Sequence, residues 1–247
     1  MNNNDQHYLD ILPKRLGKLL EYVPPVGGVL DVGTDHALLP IALVRRGQEG
    51  LIIASDNRRG PLAAARHNLQ KYHLEHRIEL RLGDGLEVLS GPEVDVVVIA
   101  GMGGQNMMEI LSTKASIARQ IPWLILQPMR DADQLRHWLV DNGFPLGAED
   151  IVEDKYLYEI IIVGPGPNPP VEELAKEIGV SPRYLIGVGP WLVAQGHPFL
   201  PKLLQERQVR LHKLVEQLEA GGRAPEKVGA IKKDLSQQEQ VIKWLLK

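Results

Sequence analysis

The sequence contains the segment Val29-Leu-Asp-Val-Gly-Thr-Asp-His-Ala-Leu-Leu-Pro40, in which an apolar run meets a carboxylate, Asp31, and then a glycine, Gly33. Apolar residues from Ala37 to Val44 follow and predict a helix. A buried strand, a sharp turn and a helix in this order form the first unit of a doubly wound α/β fold. Gly33 permits the tight turn and leaves room for a ligand to contact the main chain.

The residues of this turn favour a cationic ligand over a dinucleotide. Nicotinamide cofactors are bound through a G-x-G-x-x-G pattern, in which the second and third glycines admit the pyrophosphate and pack the helix on the strand. Here Asp35 and Leu38 occupy those two positions, and Asp35 would repel a pyrophosphate. S-adenosylmethionine carries a sulfonium and an ammonium but no phosphate, so it suits a turn rich in carboxylates. The alternative is that Asp31 and Asp35 only cap the helix.

Length and composition indicate a globular protein without disulfides. The 247 residues carry a net charge of −3 and include no cysteine, which fits one large domain or one medium domain with an appendage. No apolar run approaches the ~18 residues that span a bilayer, and the polar N-terminus does not resemble a signal peptide. A cytoplasmic protein with no membrane partner is therefore expected.

Alternating apolar runs and helical patterns predict a parallel sheet. Strands are predicted at 51–56, 77–82, 94–100 and 123–127, helices at 8–22, 61–72 and 133–142, and a closing hairpin at 150–152 and 156–163. Because a closing hairpin reverses the last strand, the first 163 residues are predicted to form a Rossmann-like class I methyltransferase domain of seven strands, the last antiparallel.

Polar or glycine-rich turns follow four of the predicted strands, and ligands of open α/β sheets bind at these carboxyl ends. Asp56 lies about twenty residues beyond Gly33, where such folds place an acid for ribose hydroxyls. Asp84 ends the third strand, and Gly101-Met-Gly-Gly104 is predicted as the loop after the fourth. No metal site is predicted. The residues expected to contact the cofactor are Asp31, Gly33, Thr34, Asp35, Asp56, Asn57, Asp84, Gly85, Gly101, Met102 and Gly103.

The last third of the chain differs from the rest in predicted secondary structure and in net charge. Residues 164–170 are rich in Pro and Gly and predict a linker. Residues 171–247 predict a C-terminal α-helical, coiled-coil-like domain, with a short helix at 171–178 and two amphipathic helices separated by Gly221-Gly222. This part holds 12 basic against 9 acidic residues, net +3, whereas residues 1–170 hold 16 against 22, net −6. The pattern is equally compatible with an arm that grips RNA and with an oligomerisation arm whose Leu204, Leu211, Leu235 and Ile242 face a partner chain, so a monomer or a weak homodimer is expected.

Several blocks in order resemble the bacterial tRNA (adenine-22-N1)-methyltransferases. They are Pro13-Lys-Arg-Leu16, Asp31-Val-Gly-Thr-Asp-His-Ala37, Gly60-Pro-Leu62, Gly83-Asp-Gly-Leu86, Ile99-Ala-Gly-Met-Gly-Gly104, Leu126-Gln-Pro128 and Gly187-Val-Gly-Pro-Trp-Leu192. The resemblance implies a Rossmann-like domain followed by a helical one, and S-adenosylmethionine-dependent methylation of N1 of adenine 22 in tRNA. The chain departs from the family at Leu38, where a tyrosine is common.

The chemistry that this resemblance implies needs alignment and electrostatic stabilisation rather than a strong base, because adenine N1 is unprotonated at neutral pH. Asp35, and after it His36, are the candidate catalytic residues. The loop after the fourth strand lacks the Asn/Asp-Pro-Pro-aromatic pattern that holds an exocyclic amine, which favours a ring-nitrogen target. The candidate contacts to tRNA are Lys14, Arg15, Arg58, Arg59, Gln127 and Arg130. Two alternatives stay open: a non-catalytic RNA-binding protein that retains the fold, and a nicotinamide-dependent oxidoreductase.

Overall fold

Runs of apolar, largely β-branched residues form the strands of a central sheet. In the computed structural model, which describes residues 12–25, 27–221 and 224–247, the strands are β1 (Val29–Val32), β2 (Ile52–Asp56), β3 (Ile78–Leu82), β4 (Val96–Met102), β5 (Trp123–Pro128), β6 (Leu146–Glu153) and β7 (Leu157–Val163). Their order in the sheet is β3-β2-β1-β4-β5-β7-β6. Strand β7 is antiparallel to both β5 and β6, and the other pairings are parallel. The predicted seven-stranded sheet with an antiparallel last strand is confirmed.

Helices cover both faces of the sheet. Those of the first part of the chain are α1 (Lys14–Tyr22), α2 (Leu38–Arg46), α3 (Arg59–Tyr72), α4 (Gly104–Thr113), α5 (Ala115–Ala118) and α6 (Ala132–Asp141). Leu19 of α1, Ile41 of α2 and Leu69 of α3 pack on one face of the sheet. Met107 of α4 and Leu135 of α6 pack on the other. Because successive strand residues point to opposite faces, both cores draw on the same apolar strands.

Two features of this part differ from the prediction, a predicted loop and a helix that was not predicted. The expected loop at Gly101–Gly104 is divided between the end of β4 and the start of α4, with Gly103 between the two and a left-handed Gly101 (φ 77°) within the last residues of β4. Helix α4 itself was not predicted, because the glycines at its start have low helix propensity. The N-terminal part of the predicted first helix, from Tyr8, lies outside the described residues.

The C-terminal part is helical, as predicted. Its helices are α7 (Val171–Ile178), α8 (Pro182–Val188), α9 (Pro190–Ala194), α10 (Leu200–Ala220) and α11 (Pro225–Leu245). The short helices α8 and α9 were not predicted, since each is too short to show a helical period. Helices α10 and α11 pack side by side, and Gln238 donates to the Leu204 carbonyl between them (2.8 Å). Of the predicted break between them, Gly222 lies outside the described residues.

The apolar residues along α10 and α11 pack against other residues of the same chain. Leu204 and Leu235 are buried, while Leu211 and Ile242 are partly buried against the same helices. The expectation that these four residues could face a partner chain is therefore wrong for the two buried leucines.

Candidate cofactor and active site

A cavity of about 820 Å³ opens at the carboxyl ends of β1 to β4. It lies where the strand order reverses between β1 and β4, the position at which doubly wound sheets bind ligands. Its wall includes residues from four successive strand ends and from helices α1 and α4: Arg15, Val32, Gly33, Asp35, Asp56, Asn57, Arg58, Pro61, Gly83, Asp84, Gly85, Glu87, Ala100, Gly101, Met102, Asn106, Glu109, Ile110 and Thr113.

The turn after β1 is held in an unusual backbone conformation. Gly33 has a φ of 74°, and the two residues before α2, His36 and Ala37, also have positive φ values of 60° and 54°. Non-glycine residues in this region cost free energy and concentrate at functional sites. The backbone N–H groups of Gly33 and Thr34 both donate to the Ser55 carbonyl (2.8 Å each), which ties this turn to β2.

Asp35 projects from this turn beside the cavity. Its side chain is 82% exposed, and its Oδ1 lies 3.3 Å from His36 Nε2. Helix α2 begins at Leu38, and its N-cap residue, Ala37, has no side-chain acceptor with which to cap the helix. The alternative that Asp31 or Asp35 caps the helix stays a prediction. The exposed carboxylate of Asp35 is accessible to a ligand in the cavity.

Asp31 lies behind the turn, buried in the sheet. Burial raises the pKa of its carboxyl from the ordinary 3.8 to about 6, although the Thr34 hydroxyl and the positive charge of Arg15 act in the opposite direction. A buried carboxylate is costly unless a positive charge compensates it. A cationic ligand above the turn would supply such compensation.

The ends of β2 and β3 contribute the next two acids. Asp56 is buried, and its Oδ1 accepts hydrogen bonds from the Arg58 backbone N–H (2.8 Å) and Nε (3.4 Å). Asp84 is exposed at the cavity wall, next to Gly85 with a φ of 51°. A Cβ added at Gly85 would come within 2.7 Å of Ile110 on α4, so the narrow space between β3 and α4 requires glycine.

At the end of β4, the side chains of Arg15 and Arg130 approach the main chain, and Met102 of β4 approaches the main chain of the turn after β1. A Cβ added to Gly33, Gly101 or Gly103 would meet, respectively, the Met102 methyl, Arg15 Nη1 at 3.6 Å and Arg130 Nε at 2.9 Å. The bare backbone at these positions therefore brings the end of β4 close to the turn after β1 and to two arginines.

Arg15 is the cation that the structure holds most firmly in the cavity wall. Its Nη1 donates to Gln127 Oε1 (2.7 Å), and its guanidinium lies 5.5 Å from the ring centroid of Tyr158. Gln127 is fully buried and also donates to the Pro128 carbonyl (3.1 Å). Gln127 thus lies beneath Arg15 and orients it.

The structure brings most of the predicted site residues together. Of the predicted cofactor contacts, the cavity wall includes Gly33, Asp35, Asp56, Asn57, Asp84, Gly85, Gly101 and Met102. The other three flank it: Asp31 and Thr34 are buried behind the first turn, and Gly103 lies under Arg130. Of the predicted tRNA contacts, Arg15 and Arg58 line the cavity. Lys14, Arg59 and Arg130 are exposed but are not in its wall, and Gln127 supports Arg15 from below.

Sequence reasoning missed one wall of the cavity. Helix α4 contributes Asn106, Glu109, Ile110 and Thr113. Their spacing of three, four and seven residues places them on one face of a helix. This period, directly after a glycine-rich strand end, was the signal that could have identified them.

Among the described residues, no group of three or more His, Cys, Asp and Glu side chains could hold a metal ion. Within the same ranges, no helix is long and apolar enough to cross a membrane.

Comparison with known proteins agrees with this geometry. Residues 12–161 match a family model described as a methyltransferase domain. The chain is 35% identical over 199 residues to the tRNA (adenine(22)-N(1))-methyltransferase of Bacillus subtilis, covering 80% of this chain and 82% of that protein. It is 30% identical over 136 residues to a Mycoplasma pneumoniae protein named as a tRNA methyltransferase, covering 54% of this chain and 61% of that one.

Solved structures of the same kind superpose on almost the whole chain. The Bacillus subtilis m1A22 tRNA methyltransferase TrmK matches with a TM-score of 0.82 at 29% identity, covering 94% of this chain and 98% of that one. The Streptococcus pneumoniae protein Sp1610, solved in complex with S-adenosyl-L-methionine, matches with a TM-score of 0.79 at 31% identity, covering 94% and 100%. The agreement spans the cavity-bearing sheet and the C-terminal helices. The chain belongs to the family of tRNA (adenine(22)-N(1))-methyltransferases.

Proposed function

We propose that this protein transfers the methyl group of S-adenosylmethionine to N1 of adenine 22 in tRNA. The observation that carries the proposal is the cavity at the β1/β4 switch point, which combines three strand-end acids, Asp35, Asp56 and Asp84, with bare main chain at Gly33 and Gly101. The relatives described above supply the tRNA substrate and the position of the target base.

The cavity suits this cofactor in charge and shape. We expect Asp56 to bind the ribose hydroxyls and Asp84 to bind the adenine amine, because both line the cavity and Asp84 lies beside the narrow space between Gly85 and Ile110. The buried carboxyl of Asp31 and the exposed one of Asp35 favour the cationic end of the cofactor over a pyrophosphate. The missing second and third glycines of a dinucleotide fingerprint argue in the same direction, against an oxidoreductase.

The chemical role falls to Asp35. When bound, the cofactor supplies an electrophilic methyl group on a sulfonium, and the unprotonated N1 of adenine receives it. Methylation makes the base cationic, so a carboxylate near N1 or the exocyclic amine stabilises the developing charge or accepts an N6 proton. Asp35 lines the cavity and its side chain is 82% exposed, which makes its carboxylate accessible for this role. His36 can orient it, since the two side chains lie 3.3 Å apart.

The target base must leave its helical stack to reach this cavity, because N1 lies on the Watson–Crick edge. Folded tRNA is recognised largely through its shape and backbone. Lys14, Arg58, Arg59 and Arg130 are exposed at or near the same sheet edge and are proposed phosphate contacts. Arg15 is proposed to act inside the cavity wall, where Gln127 fixes it.

The decisive experiment is transfer of a tritiated methyl group to unmodified tRNA transcripts, one of which has adenine 22 replaced. We expect labelling of the first transcript and loss of labelling in the second. Labelling of both would show another target, and labelling of neither, with intact tRNA binding, would favour the non-catalytic alternative. Calorimetric titration with S-adenosylmethionine and with NAD separates the methyltransferase from the oxidoreductase.

Asp35→Asn tests the role of the carboxylate. The single-turnover methyl-transfer rate should fall by at least about tenfold, while the affinities for cofactor and tRNA change by less, because the interaction is made mainly in the transition state. His36→Asn is the companion variant and should have the smaller effect. A normal single-turnover rate in Asp35→Asn would remove Asp35 from the mechanism.

A further inference from the structure

The tip of the β6–β7 hairpin carries an exposed aromatic side chain beside the cavity. Strand β7 runs antiparallel to β5, with Leu126 opposite Ile161, so the first residues of β7 lie at the carboxyl end of β5. This is the sheet edge at which the cavity opens. Tyr156, at the tip, is 61% exposed, and its ring centroid lies 6.2 Å from that of Tyr158 in an edge-on arrangement.

The two tyrosines connect directly to the cavity wall. The guanidinium of Arg15, which lines the cavity, lies 5.5 Å from the Tyr158 ring centroid, and Lys155 Nζ lies 5.7 Å from the Tyr156 ring centroid. The backbone N–H of Arg15 lies 3.4 Å from Asp154 Oδ2, so the tip also contacts helix α1. Arg15, Tyr158, Tyr156 and Lys155 therefore form a continuous row of rings and cations leading outward from the cavity. We call this row the hairpin platform.

We propose that the hairpin platform binds the nucleotide adjacent to the target adenine, with its base stacked on Tyr156. The proposal rests on the function proposed above, since it assumes that an unpaired stretch of tRNA enters this cavity. Aromatic rings accept any base, because every base has a π-face, and arginine adds cation–π attraction. Lys155 and Arg15 complement the negative phosphates on either side of that base.

The charge and exposure of the platform favour this occupant. A protein partner would be expected to cover a larger apolar area, whereas here a single exposed ring adjoins Lys155, and Arg15 lies beyond it on Tyr158. Of the two acids at the tip, Glu153 is paired with Lys202 and Asp154 lies beside the Arg15 backbone N–H. Removing one base from the duplex stack leaves its neighbours unstacked on one face. An exposed ring next to the cavity mouth replaces that lost stacking.

The experiment measures tRNA affinity and methyl-transfer kinetics for Tyr156→Ala, Tyr156→Phe and a control, Leu51→Ala. Leu51 is also an exposed apolar residue (41%), but it precedes β2 at the opposite edge of the sheet. We expect Tyr156→Ala to weaken tRNA binding and raise the KM for tRNA by about tenfold, in the range of a single base–aromatic stack. Tyr156→Phe and Leu51→Ala should stay within twofold of wild type, and cofactor affinity should be unchanged in all three.

Abasic tRNAs make the test specific to stacking. Two transcripts are prepared, one lacking the base at position 21 and the other at position 23, and each is titrated with wild type and with Tyr156→Ala. With one of them, the tenfold difference between the two proteins should disappear, because the stacking partner is already absent. A tenfold difference that persists with both transcripts, or an affinity of Tyr156→Ala equal to wild type for intact tRNA, would overturn the proposal.

The same data separate this inference from the proposed function. If wild type binds tRNA but transfers no methyl group, the proposed function fails, while the abasic titrations still decide whether Tyr156 stacks on a base. If wild type methylates adenine 22 and Tyr156→Ala binds and reacts normally, the function stands and the hairpin platform is wrong.

Discussion

The cavity and the junction between the two parts of the chain use charged residues in opposite ways. Around the cavity, Asp35 and Asp84 are exposed and Arg15 presents its guanidinium at the wall. In the junction, Arg136 is 1% exposed and its guanidinium contacts Glu149, Glu159 (2.8 Å) and the Gly187 carbonyl (3.2 Å). The charged residues of the cavity face solvent or the cavity, whereas those of the junction pair with one another inside the protein.

The junction joins elements that are distant in sequence. Glu149 of β6 also accepts from the Trp191 backbone N–H (2.9 Å), and the Trp191 indole donates to the Leu146 carbonyl (2.7 Å). Helix α8 packs on α6, and Ile151 of β6 is buried among residues of the C-terminal helices. The C-terminal part is therefore fixed to the sheet by buried contacts. The division at residues 164–170 into separate domains stays a prediction.

A second charged group links the junction to the cavity. Asp150 accepts from Tyr22 (2.6 Å), Lys18 (2.9 Å) and His197 (2.7 Å). Burial by itself would raise the pKa of Asp150, but these hydrogen bonds together hold the pKa below its usual value. Tyr22 and Lys18 belong to α1, the helix that carries Arg15, so this group connects the cavity wall to the C-terminal part.

The largest effect is expected at the junction. Arg136→Ala leaves Glu149 and Glu159 without their cation, and breaking a buried pair by removing one partner costs about 3–5 kcal/mol. Urea unfolding should show the loss as a lower midpoint. Arg183→Ala is the matched control, because it breaks an Arg–Asp pair of good geometry with Asp141 (2.7 Å) that is exposed. It should unfold close to wild type, and equal midpoints for the two variants would contradict the contrast between junction and surface.

The next largest effect concerns Asp31 and pH. Because its pKa rises from 3.8 to about 6 on folding, the folded protein binds more protons than the unfolded chain between these values. The stabilising contribution of the protonated carboxyl is therefore complete below about pH 3.8 and is lost as the pH rises through 6. The ionised carboxylate then costs ~3 kcal/mol at pH 7.5 without cofactor.

Asp31→Asn removes this ionisation. In urea unfolding at pH 4, 5, 6 and 7.5, the stability of the variant relative to wild type should increase with pH. The difference should shrink when saturating S-adenosylmethionine is present, because the cationic cofactor compensates the carboxylate only in wild type. A difference between the two proteins that is independent of pH would show that Asp31 is not the titrating group.

The contrast between the two regions also explains how much the sequence could predict. Each strand-end motif is local: Asp31, Gly33 and Asp35 lie within five residues, and a parallel sheet brings successive strand ends to one edge. The turns after β1, β2, β3 and β4 could therefore be grouped in advance. The junction could not, because Arg136, Glu149 and Glu159 come from three elements and their pairing depends on how α6 packs against β6 and β7.

The sequence also could not predict the backbone conformation of the turn after β1 or the residue that supports Arg15. Positive φ values at His36 and Ala37 are rare for these residue types and are imposed by the surrounding turn. The sequence suggested that Gln127 contacts tRNA. In the structure it is buried beneath Arg15, a position that depends on how α1 approaches the end of β5. Helix α4 was missed because its start is rich in glycine.

A smaller effect is expected from a single cofactor contact. Asp56→Ala should weaken S-adenosylmethionine binding by ~1–3 kcal/mol, the usual consequence of losing one charged hydrogen-bond partner, and Asp84→Ala should also weaken it. Calorimetry measures the cofactor affinity of both variants. Asp141→Ala is the control, because it removes an exposed carboxylate of α6 that is not in the cavity wall. Normal cofactor affinity in both Asp56→Ala and Asp84→Ala would contradict the placement of the cofactor.

The smallest effect is expected from an exposed cation near the cavity mouth. The side chain of Arg130 is 75% exposed, its Nε lies 3.5 Å from Asp131 Oδ2, and it lies over Gly103 at the end of β4. Such a residue adds little to stability, so Arg130→Ala should unfold like wild type. If Arg130 neutralises one tRNA phosphate, the variant should bind tRNA a few-fold more weakly at low salt. The plot of log affinity against log salt concentration should become shallower by about 0.7–0.9, the contribution of one phosphate.

Arg119 is also exposed but lies before β5, at the opposite edge of the sheet, so Arg119→Ala should leave that slope unchanged. Equal slopes for Arg130→Ala, Arg119→Ala and wild type would remove Arg130 from the tRNA-binding surface, whereas an equal reduction in both variants would indicate a general charge effect without a defined path for the RNA.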